Sequence, residues 1–163
     1  MLQVAITIKD TAWQALTGDI ETTCQDILQQ VWAALDVDSQ AAWVSMLLAG
    51  DGELQALNQQ FRGQDKPTNV LSFPSPEAIV AGDDALDVLG DIALSYQTIQ
   101  READEQSKNV VHHLTHLLVH GLLHLLGYDH EQDDDAAVME QLEIDILGQM
   151  GLANPYDHPD ELA

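Results

Sequence analysis

Between His112 and His130 the chain reads His-His-Leu-Thr-His-Leu-Leu-Val-His-Gly-Leu-Leu-His-Leu-Leu-Gly-Tyr-Asp-His, and this stretch limits what the remainder can fold into. Six of the seven histidines fall inside it. The other positions are mostly Leu and Val, so the segment is predicted to be a buried helix carrying imidazoles on an apolar body. Other elements must wrap around such a helix. His120 and His124 are four apart and share one face, one turn from each other. Gly127 follows three residues later, where a left-handed cap ends a helix at little steric cost. The reversal then turns His130 back towards the other two.

Three neutral imidazoles and an open position suit a catalytic zinc better than a structural one, since structural sites are usually four-coordinate and rich in Cys. Here the single Cys, Cys24, is far away in sequence. The spacing also matches the zinc motif of metzincin proteases, His-Glu-x-x-His-x-x-Gly-x-x-His, with one exception. The proteases need a Glu directly after the first His as general base, and this chain has Gly121. The metal cage is predicted and the protease base is missing. A zinc ion lowers the pKa of its bound water to about 7, so such a site works without a strong protein base. Gly121 is further expected to leave room beside the metal for a bulky substrate.

Composition narrows the setting. With 163 residues and 45% apolar content the chain can bury one sizeable core. One Cys makes no intrachain disulfide. The opening Met-Leu-Gln-Val-Ala-Ile-Thr-Ile-Lys lacks the basic start and cleavage site of a signal peptide, and no apolar run approaches the roughly 20 residues that span a bilayer. The expectation is a soluble, cytoplasmic protein without a membrane partner. The net charge is −23, from 28 acids against 5 bases, and no Lys or Arg occurs after Lys108. Such a surface repels phosphate backbones and anionic lipids at long range, which counts against tight, unaided nucleic-acid binding.

Along the chain, Leu2 to Lys9 alternates as a half-buried strand with Leu2, Val4, Ile6 and Ile8 inward. Ile20, Cys24, Ile27, Leu28, Val31 and Leu35 mark one helix face, capped by Asp19. Trp43 to Ala49 is a nearly continuous apolar run of strand length. Asp51-Gly52 turns the chain, and Leu54, Leu57 and Phe61 outline a short helix ending near Arg62-Gly63. Pro67 and Pro74 bracket a strand, Asn69 to Phe73, expected near a sheet edge. Residues 75–87 read as a loop. Val88 to Leu94 is a fourth strand, Ser95 caps a helix to about Gln106, and Ser107 restarts the chain into the histidine helix. Asp133 to Asp135 suit a helix N-terminus, Met139, Leu142, Ile146 and Met150 follow at core spacing, Gly151 ends that helix, and Asn154-Pro155 opens a polar tail over residues 155–163. Four strands in a small mixed sheet with about five helices describe a single α+β domain, residues 1–163, with the zinc site at the end of a buried central helix.

With these residues in view the chain resembles the YbeY family of bacterial zinc-dependent endoribonucleases. The resemblance rests on His120-Gly121-Leu122-Leu123-His124-Leu125-Leu126-Gly127-Tyr128-Asp129-His130, on Phe61 to Phe73, and on Gly90-Asp91-Ile92-Ala93-Leu94-Ser95. The Asp-rich turn, the last helix and Asn154-Pro155-Tyr156 extend it over most of residues 50–156. It implies one zinc per chain held by His120, His124 and His130, and cleavage of single-stranded RNA. It implies roles in ribosomal RNA maturation, at the 3′ end of 16S rRNA, and in ribosome quality control, with the small ribosomal subunit as partner and no DNA substrate. Arg62 matches the family's functional arginine. The acidic charge is the main departure.

Each residue also has a plainer reading. Arg62 either holds a phosphate bidentately or pairs with one of many surface acids; the resemblance favours the first. Lys66 is a weaker second candidate. His112 and His116 either support the metal ligands or are hydrogen-bonded helix residues, with the latter favoured; His113 is read as structural and His158 as solvated. Asp129 either orients a ligand histidine or merely follows the turn, with the first favoured. Ser72 and Asn69 are substrate contacts or ordinary edge residues, and Trp13, Trp32 and Trp43 are core. The attacking group is left open between zinc hydroxide and the RNA 2′-hydroxyl. Two rivals stand beside the nuclease: a metalloprotease or amidase with a base from elsewhere, and a non-catalytic ribosome-assembly factor stabilised by zinc.

Overall fold

A computed structural model describes residues 2–35, 42–75, 87–129 and 132–156. His130, His158 and most of the predicted 75–87 loop lie outside the described residues. The elements run β1 (Leu2–Ile8), a short 3-10 helix (Thr11–Ala15), α1 (Ile20–Leu35), β2 (Ala42–Ala49), α2 (Asp51–Arg62), β3 (Val70–Pro74), β4 (Asp87–Ser95), α3 (Tyr96–Glu105), α4 (Val110–Leu125) and α5 (Asp133–Gln149). The sheet order is β1-β2-β4-β3. β1, β2 and β4 run parallel, and β3 joins β4 antiparallel at the edge, where the flanking prolines placed it. This is the α+β architecture read from the sequence.

The two sheet faces are unequal. Val44, Met46, Leu48, Ile92 and Leu94 join the main core with Leu28 and Val31 of α1 and with α4. Ala49, Leu71 and Ala93 form a smaller cluster under Leu54 and Leu57 of α2. α4 is the centre of the main core: Leu114, Leu118, Val119, Leu122 and Leu123 are all fully buried. Each such leucine is worth about 1.5–3 kcal/mol relative to exposure, which more than offsets the lower helix propensity of its histidines. Asn109 starts the helix by accepting hydrogen bonds from the backbone N–H groups of Val111 and His112.

Gly127 ends α4 as expected. Its φ is 103°, its N–H donates to the His124 carbonyl, and the Tyr128 N–H reaches back to the Leu123 carbonyl. This pair of bonds is the Schellman closure. Gly90 has a different task. Trp43 pairs with Val88 and Val44 with Gly90, so Leu89 is an extra residue bulged out of the β2–β4 ladder. Gly90 takes the positive φ of 137° that the bulge requires.

Four local expectations change. The Ser95 hydroxyl does not cap α3 but donates to Asp51 Oδ1 at 2.5 Å, as does Thr98 Oγ1 at 2.6 Å. Asn109, not Ser107, initiates the histidine helix, because its side-chain oxygen reaches the two first-turn donors. Trp13 and Trp32 are core, but Trp43 is only half-buried and donates its indole N–H to Ser45. Phe61 keeps helical spacing yet is 58% exposed, since it lies beyond the edge of the small cluster and stacks on Phe73 with ring centroids 5.1 Å apart.

Candidate active site

α4 and β3 form the two walls of a cleft of about 310 Å³, within the range of small-molecule and substrate sites. Its lining includes His116, His120 and His124 from α4, Asn69, Val70 and Ser72 from β3 and the residue before it, Arg62 from the end of α2, and Tyr156 from the C-terminal segment. Residues more than ninety positions apart in the chain therefore meet here.

The histidine wall follows from helical geometry. The imidazoles of His120 and His124 stack edge to face with centroids 4.6 Å apart, and their Nε2 atoms are separated by 3.1 Å. At that distance one ring's N–H can donate to the other's lone pair, and the same two nitrogens, once both are unprotonated, converge on one point. With zinc–nitrogen bonds of about 2.0–2.1 Å, both atoms can reach one ion. His120 Nδ1 lies 2.9 Å from Glu143 Oε1. Glu143 is completely buried on α5 and also receives hydrogen bonds from His116 Nε2 at 3.2 Å and the Tyr156 hydroxyl at 2.5 Å. Burial pushes its carboxyl up, but the hydrogen bonds from His116, His120 and Tyr156 prevail and hold it down at about 2. An ionised Glu143 requires a proton on His120 Nδ1, which leaves the Nε2 lone pair for a ligand. The donor set thus fits a divalent metal of the zinc type. Among the described residues no third His, Cys, Asp or Glu joins this pair in a metal-holding group; His130 lies outside them.

The arginine wall depends on how α2 stops. Gly63 terminates the helix with φ 69°, and buried Asn58 donates to the Lys66 carbonyl, folding the following loop back. Together with the Phe61–Phe73 contact, this sets Arg62 beside β3. Arg101 pairs with Asp51 and Lys9 with Glu53, but Arg62 is in no ion pair among the described residues. The plainer reading of Arg62, a surface pair with an acid, finds no such acid among the described residues. Lys66 is exposed on the loop beyond.

The remaining candidates divide. His116 is a hydrogen-bonded residue between Glu143 and Tyr156, His113 is buried against Glu102 at 2.9 Å, and His112 is exposed. Asn69 donates to Glu102 and accepts from its neighbour's N–H, and Ser72 donates to the Gly121 carbonyl, so both line the cleft with their polar atoms already engaged. Asp129 is exposed where the chain leaves α4.

Gly121 corrects the sequence reading. It faces the sheet, not an open space: a Cβ there would lie 3.2 Å from Ser72 Oγ and 3.3 Å from Ile92 Cγ2. Its smallness lets α4 sit close on β3 and β4, and no room for a bulky substrate results. The sequence reading also passed over Glu143. The signal was available, because Glu143 falls four residues after Met139 and three before Ile146, an acid on the apolar stripe of its helix. Tyr156 was missed with it: the supposed polar tail begins with buried Pro155, whose carbonyl accepts from Lys108, and with a phenol tied to Glu143.

Fold and cleft together define a class: a small α+β protein in which an imidazole pair on a buried helix faces an arginine across a narrow cleft. The sequence model of the family described as endoribonuclease YbeY matches residues 5–151. Proteins called endoribonuclease YbeY are 44% identical in Rhodopseudomonas palustris, over 97% of this chain and 83% of that protein. In Bradyrhizobium diazoefficiens the figures are 49%, 90% and 81%, and in Allorhizobium ampelinum 45%, 95% and 95%. The chain belongs to the YbeY endoribonuclease family. A solution structure of a Thermotoga maritima protein shares the fold, with a TM-score of 0.51 and 24% identity over 96% of this chain and 99% of that one.

Proposed function

We propose that this protein is a zinc-dependent endoribonuclease that cleaves single-stranded RNA, with His120, His124 and His130 holding the metal and Arg62 engaging the scissile phosphate. The observation that carries the reading is the meeting, across one cleft, of the His120–His124 nitrogen pair and an arginine with no ion pair among the described residues. Zinc bound to three imidazoles supplies a nucleophile near neutral pH and a positive charge beside the phosphate. Arg62 offers a planar pair of N–H donors to a phosphate and to the charge that builds on it during displacement. Gly121 and its neighbours provide no general base of the protease kind. The 16S rRNA 3′ end, ribosome quality control, the small ribosomal subunit and a cytoplasmic location belong to the same proposal. No helix of the described residues is long and apolar enough to cross a membrane.

The test gives metal-replete wild type and His124→Ala a defined single-stranded RNA and, separately, an unfolded protein. RNA cleavage by wild type alone is the expected result. Cleavage of the protein with RNA left intact would replace this reading with a metalloprotease, and cleavage of neither would favour an assembly factor.

The metal itself is tested apart from activity. Protein purified without chelator is expected to carry about one zinc per chain by elemental analysis, and chelation is expected to lower the melting temperature because the ion binds only the folded form. Zinc content unchanged in a His124→Ala, His130→Ala double variant would rule the site out. Gly127→Val is expected to weaken zinc binding as well. Nothing lies within 4 Å of a Cβ at that position, but the φ of 103° is strained for any side chain, by about 1–2 kcal/mol. Relaxing that strain redirects the chain that leaves α4 at Tyr128 and Asp129. Competition with a chelating dye measures the change.

A further inference from the structure

We propose that Glu143 is the positioning residue of the cleft: its buried carboxylate fixes His120 as the tautomer whose Nε2 lone pair points at His124, and Tyr156 locks the carboxylate in place. The proposal rests on the zinc reading above for its consequence, but the geometry stands without it. Glu143 has no solvent exposure and no Lys or Arg partner among the described residues. Three donors stand in for a counter-charge: His120 Nδ1 and His116 Nε2 on one oxygen, and the Tyr156 hydroxyl on the other.

A carboxylate in such a place is costly unless every lone pair it exposes is used. Here it is used asymmetrically. Oε1 faces the histidine helix and Oε2 faces the C-terminal segment, so the carboxylate is held in its plane from both sides. Tyr156 can only donate, because burial, the hydrogen bond to Glu143 and the charges of Glu143 and Glu140 push its phenol pKa far up. His116 Nδ1 is buried without a partner among the described residues, which is tolerable for a lone pair and not for an N–H. That identifies His116 as the Nε2–H tautomer, donating to Glu143. Both histidines are thereby sorted by one carboxylate, in opposite senses: His116 presents Nε2–H to Glu143, and His120 presents Nδ1–H and keeps Nε2 as an acceptor. Tyr156 also stacks edge to face on His116, centroids 5.4 Å apart.

An imidazole without such a partner favours the Nε2–H tautomer in water, the form that blocks the ligating nitrogen. Supporting carboxylates of this kind typically change metal affinity by 10–100-fold, on the order of one to two decades. A packing role alone would alter stability without selecting a tautomer.

The experiment compares wild type, Glu143→Gln, which keeps the volume, Glu143→Leu, which removes every acceptor, and Tyr156→Phe. Each is checked for folding by its melting curve. Ring 15N shifts of His120 are read at neutral pH in chelator-treated protein, and zinc affinity by dye competition. Wild type is expected to hold His120 as Nδ1–H. Glu143→Leu is expected to shift it to Nε2–H, Glu143→Gln to give a mixture, and both to bind zinc about 10–100-fold more weakly. Tyr156→Phe is expected to fall between wild type and Glu143→Gln. An unchanged His120 tautomer in folded Glu143→Gln overturns the proposal whatever the metal does. Should Glu143→Leu fail to fold, Glu143→Gln decides alone. If wild type binds no zinc while the tautomers shift as stated, the zinc reading fails and the positioning role stands.

Discussion

Arg62→Ala is expected to keep its fold and its zinc and to cleave single-stranded RNA about 10²–10³-fold more slowly, the usual loss when one charge-assisted contact to a transition state is removed. The fold is safe because the side chain is exposed at the last turn of α2 and makes no ion pair among the described residues. The metal is safe because the imidazole pair is built on α4 and supported by Glu143 of α5, across the cleft from Arg62. Cleavage is not safe, since three of the other four bases are committed, Lys9 to Glu53, Arg101 to Asp51 and Lys108 to the Pro155 carbonyl, and the fourth, Lys66, does not line the cleft. Arg62→Lys is expected to recover only part of the rate, because an ammonium lacks the two-donor plane that matches phosphate. Rates are to be compared across salt concentrations, as the −23 charge opposes RNA approach at low ionic strength. Full activity in Arg62→Ala would remove the arginine from the mechanism.

Gly90→Val is expected to be the most damaging single change to the fold. A Cβ at this position would lie 2.2 Å from the Phe73 carbonyl oxygen and 3.0 Å from Pro74 Cα, both backbone atoms of β3. Neither can swing aside as a side-chain end does. The φ of 137° adds strain for any residue with a Cβ. Overpacking and backbone strain each cost about 1–3 kcal/mol, so the sum is on the order of 2–6 kcal/mol. That is a large share of the roughly 5–15 kcal/mol that holds a domain folded. The midpoint of urea unfolding reads it directly. A midpoint within error of wild type would mean that β3 shifts freely, contrary to its Ser72 anchor on Gly121.

What the sequence disclosed divides along a physical line. α4 was legible because burial and a helical period leave a repeating mark, and Gly127 because a chain reversal after an apolar helix needs positive φ. The edge position of β3 followed from Pro67 and Pro74. The bulge at Leu89 was not legible, since one extra residue in a ladder exists only relative to the partner strand. Gly121 was misread because its absent side chain was weighed against protease chemistry, when the constraint comes from Ser72 and Ile92. Glu143 was overlooked among 28 acids, and its role depends on His116, His120 and Tyr156, three residues that only the tertiary fold brings to it. His130 remains a reading from spacing alone.

The Ser72–Gly121 hydrogen bond has a consequence for how the molecule is born. All four strands are encoded before residue 96, whereas α4 begins at Val110. The sheet therefore emerges from a ribosome ahead of the helix that covers Ile92 and Leu94. Synthesis adds roughly 5–20 residues per second, so this apolar face waits on the order of seconds for its cover. Chains that end before Val110 carry α1 and α2 on the sheet but leave the ground of α4, around Ile92 and Leu94, uncovered, and these fragments are the ones expected to aggregate or to be captured by chaperones.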